Sequence, residues 1–253
     1  MEETVRYQYK SDGYSVITID RAEKRNAISN QVAQDMKQAI QRALKDKCKF
    51  LIVTGAGEKM FCSGGDLREL HGDLTPDAAY EHLNQMKEIL YSIVSFPVPT
   101  VCLLNGNALG GGCELASACD FRIAKEDTSF GFVQTTLGIV PGWGGGALLY
   151  EKLFPSFAYQ WLMEAEVYSD KFLQQKGWIH KVISNSDWNK VEEILAPYLS
   201  KSYEQMTALK GQYNDRMKLD DLYQKMNEEV RKCANLWDSV EHIEAVERFL
   251  NRK

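Results

Sequence analysis

Apolar and polar positions follow two patterns along this chain: short runs rich in Val and Ile, and longer stretches with apolar residues every three or four positions. The short runs predict strands, since they are bounded by glycine or charge. They lie at 14–19, 50–54, 100–105 and 119–124. The longer stretches predict amphipathic helices, one after an N-cap at Ser29 and one after Thr75-Pro76. The recurring order of strand, strand and helix indicates an α/β fold.

The composition changes at about Ser186, where helical patterns take over and glycine nearly vanishes. No Pro/Gly/Ser-rich linker precedes this change. We therefore expect a core at 1–185 and a helical region at 186–253 that packs on the core or on a neighbouring subunit. Aromatic and Met residues at helical spacing in this region are typical of packing surfaces: Tyr198, Tyr203, Met206, Tyr213, Tyr223, Met226 and Trp237.

Composition and charge narrow the class of protein. The chain has 253 residues, 44% of them hydrophobic, which is ordinary for a soluble globular protein. A net charge of −5 argues against a general nucleic-acid binder, since that binding neutralises phosphates with Lys and Arg. The six cysteines form no CxxC pair, which favours reduced thiols in a cytoplasmic protein. With no secretory signal and no apolar run of membrane-spanning length, we expect a soluble, cytoplasmic protein.

Two glycine-rich turns carry the candidate chemistry. The first spans 61–67 (FCSGGDL) and the second spans 105–114 (NGNALGGGCE). Each follows a strand-like run and leads into a segment that can be helical, so each exposes backbone N–H groups with a helix dipole behind them. Two such ends that meet would stabilise charge on a carbonyl oxygen. Glu114, directly after the second turn, is a natural candidate for proton transfer.

Other motifs do not fit. The spacing of Gly106 and Gly110 is wrong for a dinucleotide fingerprint, and the chain has no P-loop Gly-Lys pair. Ser63 lacks the residues of a hydrolase nucleophile elbow. None of the histidines stands at metal-ligand spacing, so we expect no metal site: His71, His82, His180 and His242.

The two turns stand in order with further motifs. They are followed by 119–122 (CDFR) and 137–145 (LGIVPGWGG), and they are flanked by 24–28 (KRNAI) and 244–249 (EAVERF). In this order the chain resembles the enoyl-CoA hydratase/isomerase (crotonase) superfamily. The resemblance implies a spiral of ββα repeats and a C-terminal helical region that builds trimers, commonly paired into hexamers. It also implies an acyl-CoA thioester substrate, with no cofactor beyond the coenzyme A of the substrate itself.

The resemblance also implies roles for single residues. By motif position, the two oxyanion donors are the N–H groups of Gly65 and Gly111, where glycine lets a thioester oxygen approach the backbone closely. The residues that would line the path of coenzyme A are Lys24, Arg25, Ala27, Ser63, Asp66 and Leu67.

One position departs from the hydratase pattern. Hydratases of this superfamily hold a water between two glutamates, and the resemblance places Gln134 where the second would be. Glutamine orients a water but exchanges no proton at neutral pH. Glu114 is then the single acid/base group beside the oxyanion hole, and efficient hydration by two carboxylates is not expected.

Three functions remain open from the sequence. Hydratase/isomerase-type chemistry through a thioester enolate leads on grounds of the resemblance. The alternative is decarboxylation of a substituted malonyl-CoA of the ethylmalonyl or methylmalonyl type. Trp143 favours it because 139–145 (IVPGWGG) is similar to the malonyl-CoA decarboxylase branch and because an apolar wall desolvates a leaving carboxylate. A third is a non-catalytic acyl-CoA-binding protein.

Overall fold

A computed structural model describes residues 3–70 and 74–251 of the chain, so His71 lies outside the described residues. This part of the chain forms ten strands: β1 (Val5–Tyr9), β2 (Ser15–Ile19), β3 (Leu51–Gly55), β4 (Met60–Cys62), β5 (Thr100–Leu104), β6 (Asn107–Leu109), β7 (Phe121–Lys125), β8 (Ser129–Gly131), β9 (Tyr168–Ser169) and β10 (Lys181–Ile183). The α-helices of the same residues are α1 (Asn30–Lys45), α2 (Leu67–Leu70), α3 (Pro76–Val94), α4 (Gly111–Ala118), α5 (Gly145–Lys152), α6 (Pro155–Glu164), α7 (Asp170–Gln175), α8 (Val191–Leu199), α9 (Tyr203–Met217), α10 (Leu219–Ala234) and α11 (Val240–Leu250). Two 3₁₀ turns occupy Ala22–Lys24 and Gln134–Leu137.

The strands form two sheets in a repeating order. Within the described residues the larger sheet runs β1-β2-β3-β5-β7-β10 and the smaller runs β4-β6-β8-β9. Each of three successive strand pairs, β3–β4, β5–β6 and β7–β8, gives one strand to each sheet before the chain enters helical structure. Among the strands of residues 3–70 and 74–251, only β1–β2 and β8–β9 pair antiparallel. The α/β spiral of ββα repeats expected from the sequence is confirmed.

The larger sheet is buried on both faces because its residues alternate between two clusters. Leu51 and Val53 of β3 face the main core, whereas Phe50 and Ile52 face a second cluster that includes Leu195 of α8. Helix α1 packs along β1 and β2 on the main-core side. This layering explains why the sequences of these strands are continuous apolar runs and do not alternate between apolar and polar residues.

The predicted elements agree closely with the observed ones. The side chains of Ser29 and Thr75 cap α1 and α3, each accepting a backbone N–H at 3.3 Å. The strand predicted at 119–124 begins at Phe121 instead, because Asp120 first uses its carboxylate to accept the N–H of Thr100 at 2.9 Å. The sequence patterns did not predict strand β1 or the short strands β8, β9 and β10, and they assigned β4 and β6 to the two glycine turns.

The C-terminal helices pack on the core through buried residues. Helix α10 lies against α3 and α5, and Met226 on α10 is fully buried. Met206 and Trp237 are also buried, whereas Tyr213 is 38% exposed. In the described range, no helix has the length and apolar character needed to cross a membrane.

Candidate active site

Three loops converge at one edge of the smaller sheet. Strands β4, β6 and β8 lie side by side and parallel, so their carboxyl ends share that edge. Loops at the carboxyl ends of parallel strands are where α/β folds build ligand sites. Within the first glycine turn the glycines at 64–65 follow β4, within the second the glycines at 110–112 follow β6, and the segment 132–145 follows β8.

The two glycine turns touch backbone to backbone. Gly64 has φ of +95°, and a Cβ there would lie 3.2 Å from the nitrogen of Gly111. A Cβ on Gly112 would lie 2.1 Å from the carbonyl oxygen of Cys62. The close approach therefore requires glycine at both positions, and it brings together the two candidate oxyanion turns.

Gly65 and Gly111 each present an uncommitted N–H. Their neighbours are fixed, since Ile28 donates to the carbonyl of Gly64 at 2.9 Å and Asp66 donates to the carbonyl of Ile28 at 2.8 Å. No described residue accepts a hydrogen bond from the N–H of Gly65 or from the N–H of Gly111, which is the first residue of α4. A helix start with unpaired N–H groups suits an oxyanion.

The ring of Trp143 covers the second turn. A Cβ on Gly111 would lie 2.2 Å from Cζ3 of Trp143 and 2.3 Å from Cη2. The Trp143 side chain is only 5% exposed. It therefore forms an apolar wall directly beside one of the two candidate donors.

Glu114 is buried and fully hydrogen-bonded. Its Oε2 accepts the N–H groups of Trp143 and Gly145, both at 2.9 Å, and its Oε1 accepts the amide Nε2 of Gln134 at 2.8 Å. Gly142 donates a longer bond of 3.4 Å to Oε1. These bonds use the roughly four acceptor positions of a carboxylate. A Cβ on Gly145 would lie 2.3 Å from Cβ of Glu114, so this glycine makes room for the side chain.

Burial and hydrogen bonding act in opposite directions on this carboxyl. Loss of water raises the pKa of Glu114 above its usual value, while the N–H groups of Gly145 and Trp143 and the amide of Gln134 lower it. Burial is the larger effect, so the net pKa is raised. A raised pKa moves a glutamate toward the range where it exchanges protons near neutrality.

Gln134 lies beside Glu114, as the resemblance places it. The side chain is buried, and its Oε1 has no hydrogen-bond partner in the part of the chain that the structure describes. Positions 114 and 134 therefore present one carboxylate and one amide acceptor rather than two carboxylates.

The sequence analysis missed a second carboxylate near Glu114. Glu229 of α10 accepts the N–H of Gly146 at 3.1 Å and that of Ala147 at 2.7 Å. Burial, followed by the negative charge of Glu114, raises the pKa of Glu229 well above its usual range. Its sequence signal is a glutamate inside an otherwise apolar stripe on α10, between Met226 and Cys233.

The candidates for the coenzyme A path lie around the first turn. Lys24 and Arg25 are exposed, and the carbonyl of Arg25 accepts the N–H of Ser63 at 3.2 Å. Ala27 is buried, and its carbonyl accepts Nη1 of Arg21 at 2.8 Å. The sequence analysis overlooked Arg21.

Asp66 and Leu67 lie at the end of the same turn, partly exposed. The Asp66 carboxylate lies 3.3 Å from Arg21, and Leu67 is the first residue of α2. Asp66 is therefore part of the wall of this turn, held by a cation from the preceding loop.

Two cations cap the far end of α4. Lys152 donates to the carbonyls of Ser117 at 2.7 Å and Cys119 at 2.8 Å, and Arg122 also donates to Cys119 at 2.8 Å. Positive charge at a helix C-terminus is favourable. It holds in place the helix whose first residue is Gly111.

Comparisons with known proteins show the family of the chain. A family model described as enoyl-CoA hydratase/isomerase matches residues 10–253. The chain belongs to the enoyl-CoA hydratase/isomerase family. It is 32% identical to a crotonyl-CoA hydratase of Syntrophomonas wolfei over 213 residues, which cover 83% of this chain and 82% of that protein.

Two further relatives of this enoyl-CoA hydratase/isomerase family member bear on its fold and chemistry. An ethylmalonyl-CoA decarboxylase of Rattus norvegicus is 29% identical over 251 residues, covering 96% of this chain and 82% of the relative. The crystal structure of an enoyl-CoA hydratase from Bacillus halodurans superposes with a TM-score of 0.88 at 23% identity, covering 97% of this chain and 99% of that one. The structural match supports the fold, and the two sequence relatives carry different reactions in their names.

Proposed function

We propose that this protein acts on an acyl-CoA thioester through a stabilised enolate. The observation that carries the proposal is the pair of uncommitted N–H groups on Gly65 and Gly111, at the contact of two glycine turns. A thioester carbonyl oxygen placed on both donors gains stabilisation as negative charge develops on it. Glu114 is the acid/base group that removes a proton from the α-carbon or returns one, as in enoyl-CoA isomerisation or hydration.

Decarboxylation of a substituted malonyl-CoA is the second candidate. In this reaction loss of CO2 generates the enolate, so no base is needed for the first step. Two features favour it: all acceptor positions of Glu114 are used by the protein, and Trp143 forms an apolar wall beside Gly111. The similarity to an ethylmalonyl-CoA decarboxylase supports the same reaction.

One experiment separates these functions. Purified protein is incubated with crotonyl-CoA, a 3-enoyl-CoA and ethylmalonyl-CoA, and the products are resolved by mass spectrometry. Addition of water or movement of the double bond is expected for acid/base chemistry by Glu114. Loss of CO2 from ethylmalonyl-CoA alone would assign the decarboxylase. Binding of the esters without turnover would identify a non-catalytic acyl-CoA-binding protein.

We further infer that Lys24 and Arg25 contact the phosphates of coenzyme A, because both are exposed beside the first turn. Replacing each with Gln should raise KM for the thioester and leave kcat unchanged. Lys232→Gln, at an exposed position of α10, is the matched control.

We also propose a trimer or a pair of trimers. Helix α6 and the residue before it expose large apolar side chains, with Phe154 76%, Tyr159 58% and Met163 60% exposed. Exposed apolar surface of this kind marks interfaces. Light scattering of the purified protein tests the assembly, and a monomer would contradict it.

The compartment that we propose is the cytoplasm. All six cysteines are free and buried, which suits a reducing environment. Cell fractionation tests this placement.

A further inference from the structure

Two carboxylates from distant parts of the chain bind the start of one helix. Glu114 accepts the N–H groups of Trp143 and Gly145, just before and at the first residue of α5. Glu229 accepts those of the next two residues, Gly146 and Ala147. The two acidic side chains therefore occupy consecutive donors of a single helix start.

Adjacent glycines make room for this arrangement. A Cβ on Gly145 would lie 2.3 Å from Cβ of Glu114, whereas a Cβ on Gly146 would lie 2.6 Å from Oε2 of Glu229. Each glycine thus admits one carboxylate. The α10 helix is also close at this turn, since a Cβ on Gly144 would lie 2.5 Å from Met226.

We propose that Glu229 is a positioning residue for the acid/base step: with Glu114 it forms a carboxylate pair on α5 that retains one proton at the site. This inference rests on the proposed function and concerns how its proton is held. In the step itself the O–H bond of Glu114 breaks and a C–H bond forms at the enolate α-carbon. The thioester C=O is restored, and Glu114 is left ionised.

Electrostatics favour a retained proton. Two like charges on adjacent donors disfavour double ionisation, so the pair binds its first proton more readily than one carboxyl alone. Burial and the charge of Glu114 both raise the pKa of Glu229, and burial raises that of Glu114.

Other charged groups near Glu229 have partners of their own. Glu229 lines a cavity of about 540 Å³ together with groups from α5, α6 and α10. Lys225 pairs with Glu151 at 2.6 Å, and Lys232 pairs with Glu228 at 3.7 Å. The other titratable groups described near Glu229 are Tyr150, Tyr159, Cys233 and Glu114. In the described part of the chain no cation forms a salt bridge with Glu229.

The test is a direct titration of Glu114 in the full-length protein. Protein labelled with ¹³C at glutamate carboxyl carbons is followed by NMR against pH, and the Glu114 signal is assigned by its loss in Glu114→Gln. Glu229→Gln should leave Glu114 to bind its proton at a lower pH than the pair binds its first proton. Gly146→Ala should do the same to a smaller extent, because its Cβ displaces the Glu229 carboxylate without removing the charge.

Glu228→Gln is the matched control, since Glu228 lies next in the chain, lines the same cavity and is exposed. It should leave the Glu114 titration unchanged. An unmoved titration in Glu229→Gln, or an equal shift in Glu228→Gln, would overturn the proposal. A purely structural role would lower the unfolding temperature of Glu229→Gln without moving the titration.

The titration uses no substrate, so the two proposals fail separately. If the titration shifts but the protein turns over no thioester, the enzyme function is rejected and the pair of Glu114 with Glu229 is retained. Turnover of a thioester with an unmoved titration would retain the enzyme function and reject the carboxylate pair.

Discussion

Gln134 donates its amide Nε2 to Oε1 of Glu114 over 2.8 Å, and this bond fixes which way the amide points. Because Nε2 donates to this carboxyl oxygen, Oε1 of Gln134 faces away from it. That oxygen is buried without a partner in the described residues. A buried acceptor left unpaired costs about 1–3 kcal/mol, which a bound molecule recovers by donating a hydrogen bond there.

Gln134→Glu should convert this amide into a second acid/base group. Two carboxyls in direct contact cannot both ionise, so one holds a proton beside the other. We expect hydration of crotonyl-CoA to rise on the order of a hundredfold to ten-thousandfold, measured by loss of the enoyl thioester. Thr135→Glu adds the same charge at the next, exposed residue and should gain nothing. A stably folded Gln134→Glu protein with no gain contradicts the assignment of position 134.

Glu114→Gln tests the base itself. If Glu114 transfers the proton, kcat should fall on the order of a hundredfold to ten-thousandfold while thioester binding persists. In the Oε1 position the new NH2 faces the N–H of Gly142 and the amide of Gln134, and in the Oε2 position it faces the N–H groups of Trp143 and Gly145, so urea unfolding should be compared in parallel. Full turnover by a folded Glu114→Gln protein would show that the enolate forms without this base.

Local motifs were enough to predict the two glycine turns, and the family resemblance pointed to Gln134, which the structure places in contact with Glu114; the donor roles of Gly65 and Gly111 stay predictions. Each turn depends on a few neighbouring residues whose backbone must take one shape, as Gly64 and Gly111 show. Glu229 could not be found this way, because it lies 115 residues after Glu114 and meets it only through the packing of α10 on α5. The expectation that Glu114 is the single acid/base group stays a prediction, and it did not include Glu229 as a neighbour.

The ion pair of Asp120 also could not be predicted from neighbouring residues in the sequence. The sequence marks Asp120 as part of a motif, but its partner Lys210 lies 90 residues later on α9. Residues that come together only through tertiary packing have no characteristic separation in the sequence, so a sequence pattern does not detect them.

Lys210→Met should strongly destabilise the fold. Lys210 is buried, with Nζ at 2.6 Å and 2.7 Å from the two oxygens of Asp120 and 2.9 Å from the carbonyl of Val94. Removing one partner leaves the other charge buried, which typically costs about 3–5 kcal/mol. Lys232→Met breaks an exposed pair at 3.7 Å and should cost about 0–1 kcal/mol. Equal urea midpoints for the two variants would contradict this difference.

His180 should make stability depend on pH. Its Nδ1 accepts the N–H of Arg122 at 3.2 Å, and burial followed by the positive charges of Arg122 and Lys152 lowers the pKa of His180 to about 4 from 6.5. Between these pH values the unfolded chain binds the additional proton, so the free energy of unfolding falls as the pH falls from 6.5 to about 4.

The variant that checks this linkage is His180→Asn, because an Asn oxygen can accept the same N–H. Urea unfolding at several pH values should show a smaller loss of stability from pH 6.5 to 4 in the variant. Parallel curves for the two proteins would assign the pH dependence to other groups.

Gly111→Ala should disable the oxyanion hole through Trp143. The new Cβ would lie 2.2 Å from the ring, so either the ring or the first residue of α4 must move. Loss of one aligned donor typically costs a hundredfold to a thousandfold in kcat, on the order of 3–4 kcal/mol. Gly211→Ala is the control, since nothing lies within 4 Å of its Cβ on α9, and the substitution should stabilise that helix by about 0.5–1 kcal/mol.

A double variant separates the displaced donor from a general loss of packing. In Gly111→Ala with Trp143→Leu, the smaller side chain relieves the contact with the new Cβ. Part of the lost kcat should therefore return relative to Gly111→Ala alone, giving a non-additive cycle between these two contacting residues. Strictly additive losses would show that the ring of Trp143 does not mediate the effect. Full turnover in Gly111→Ala alone would show that the N–H of Gly111 is not a donor of the oxyanion hole.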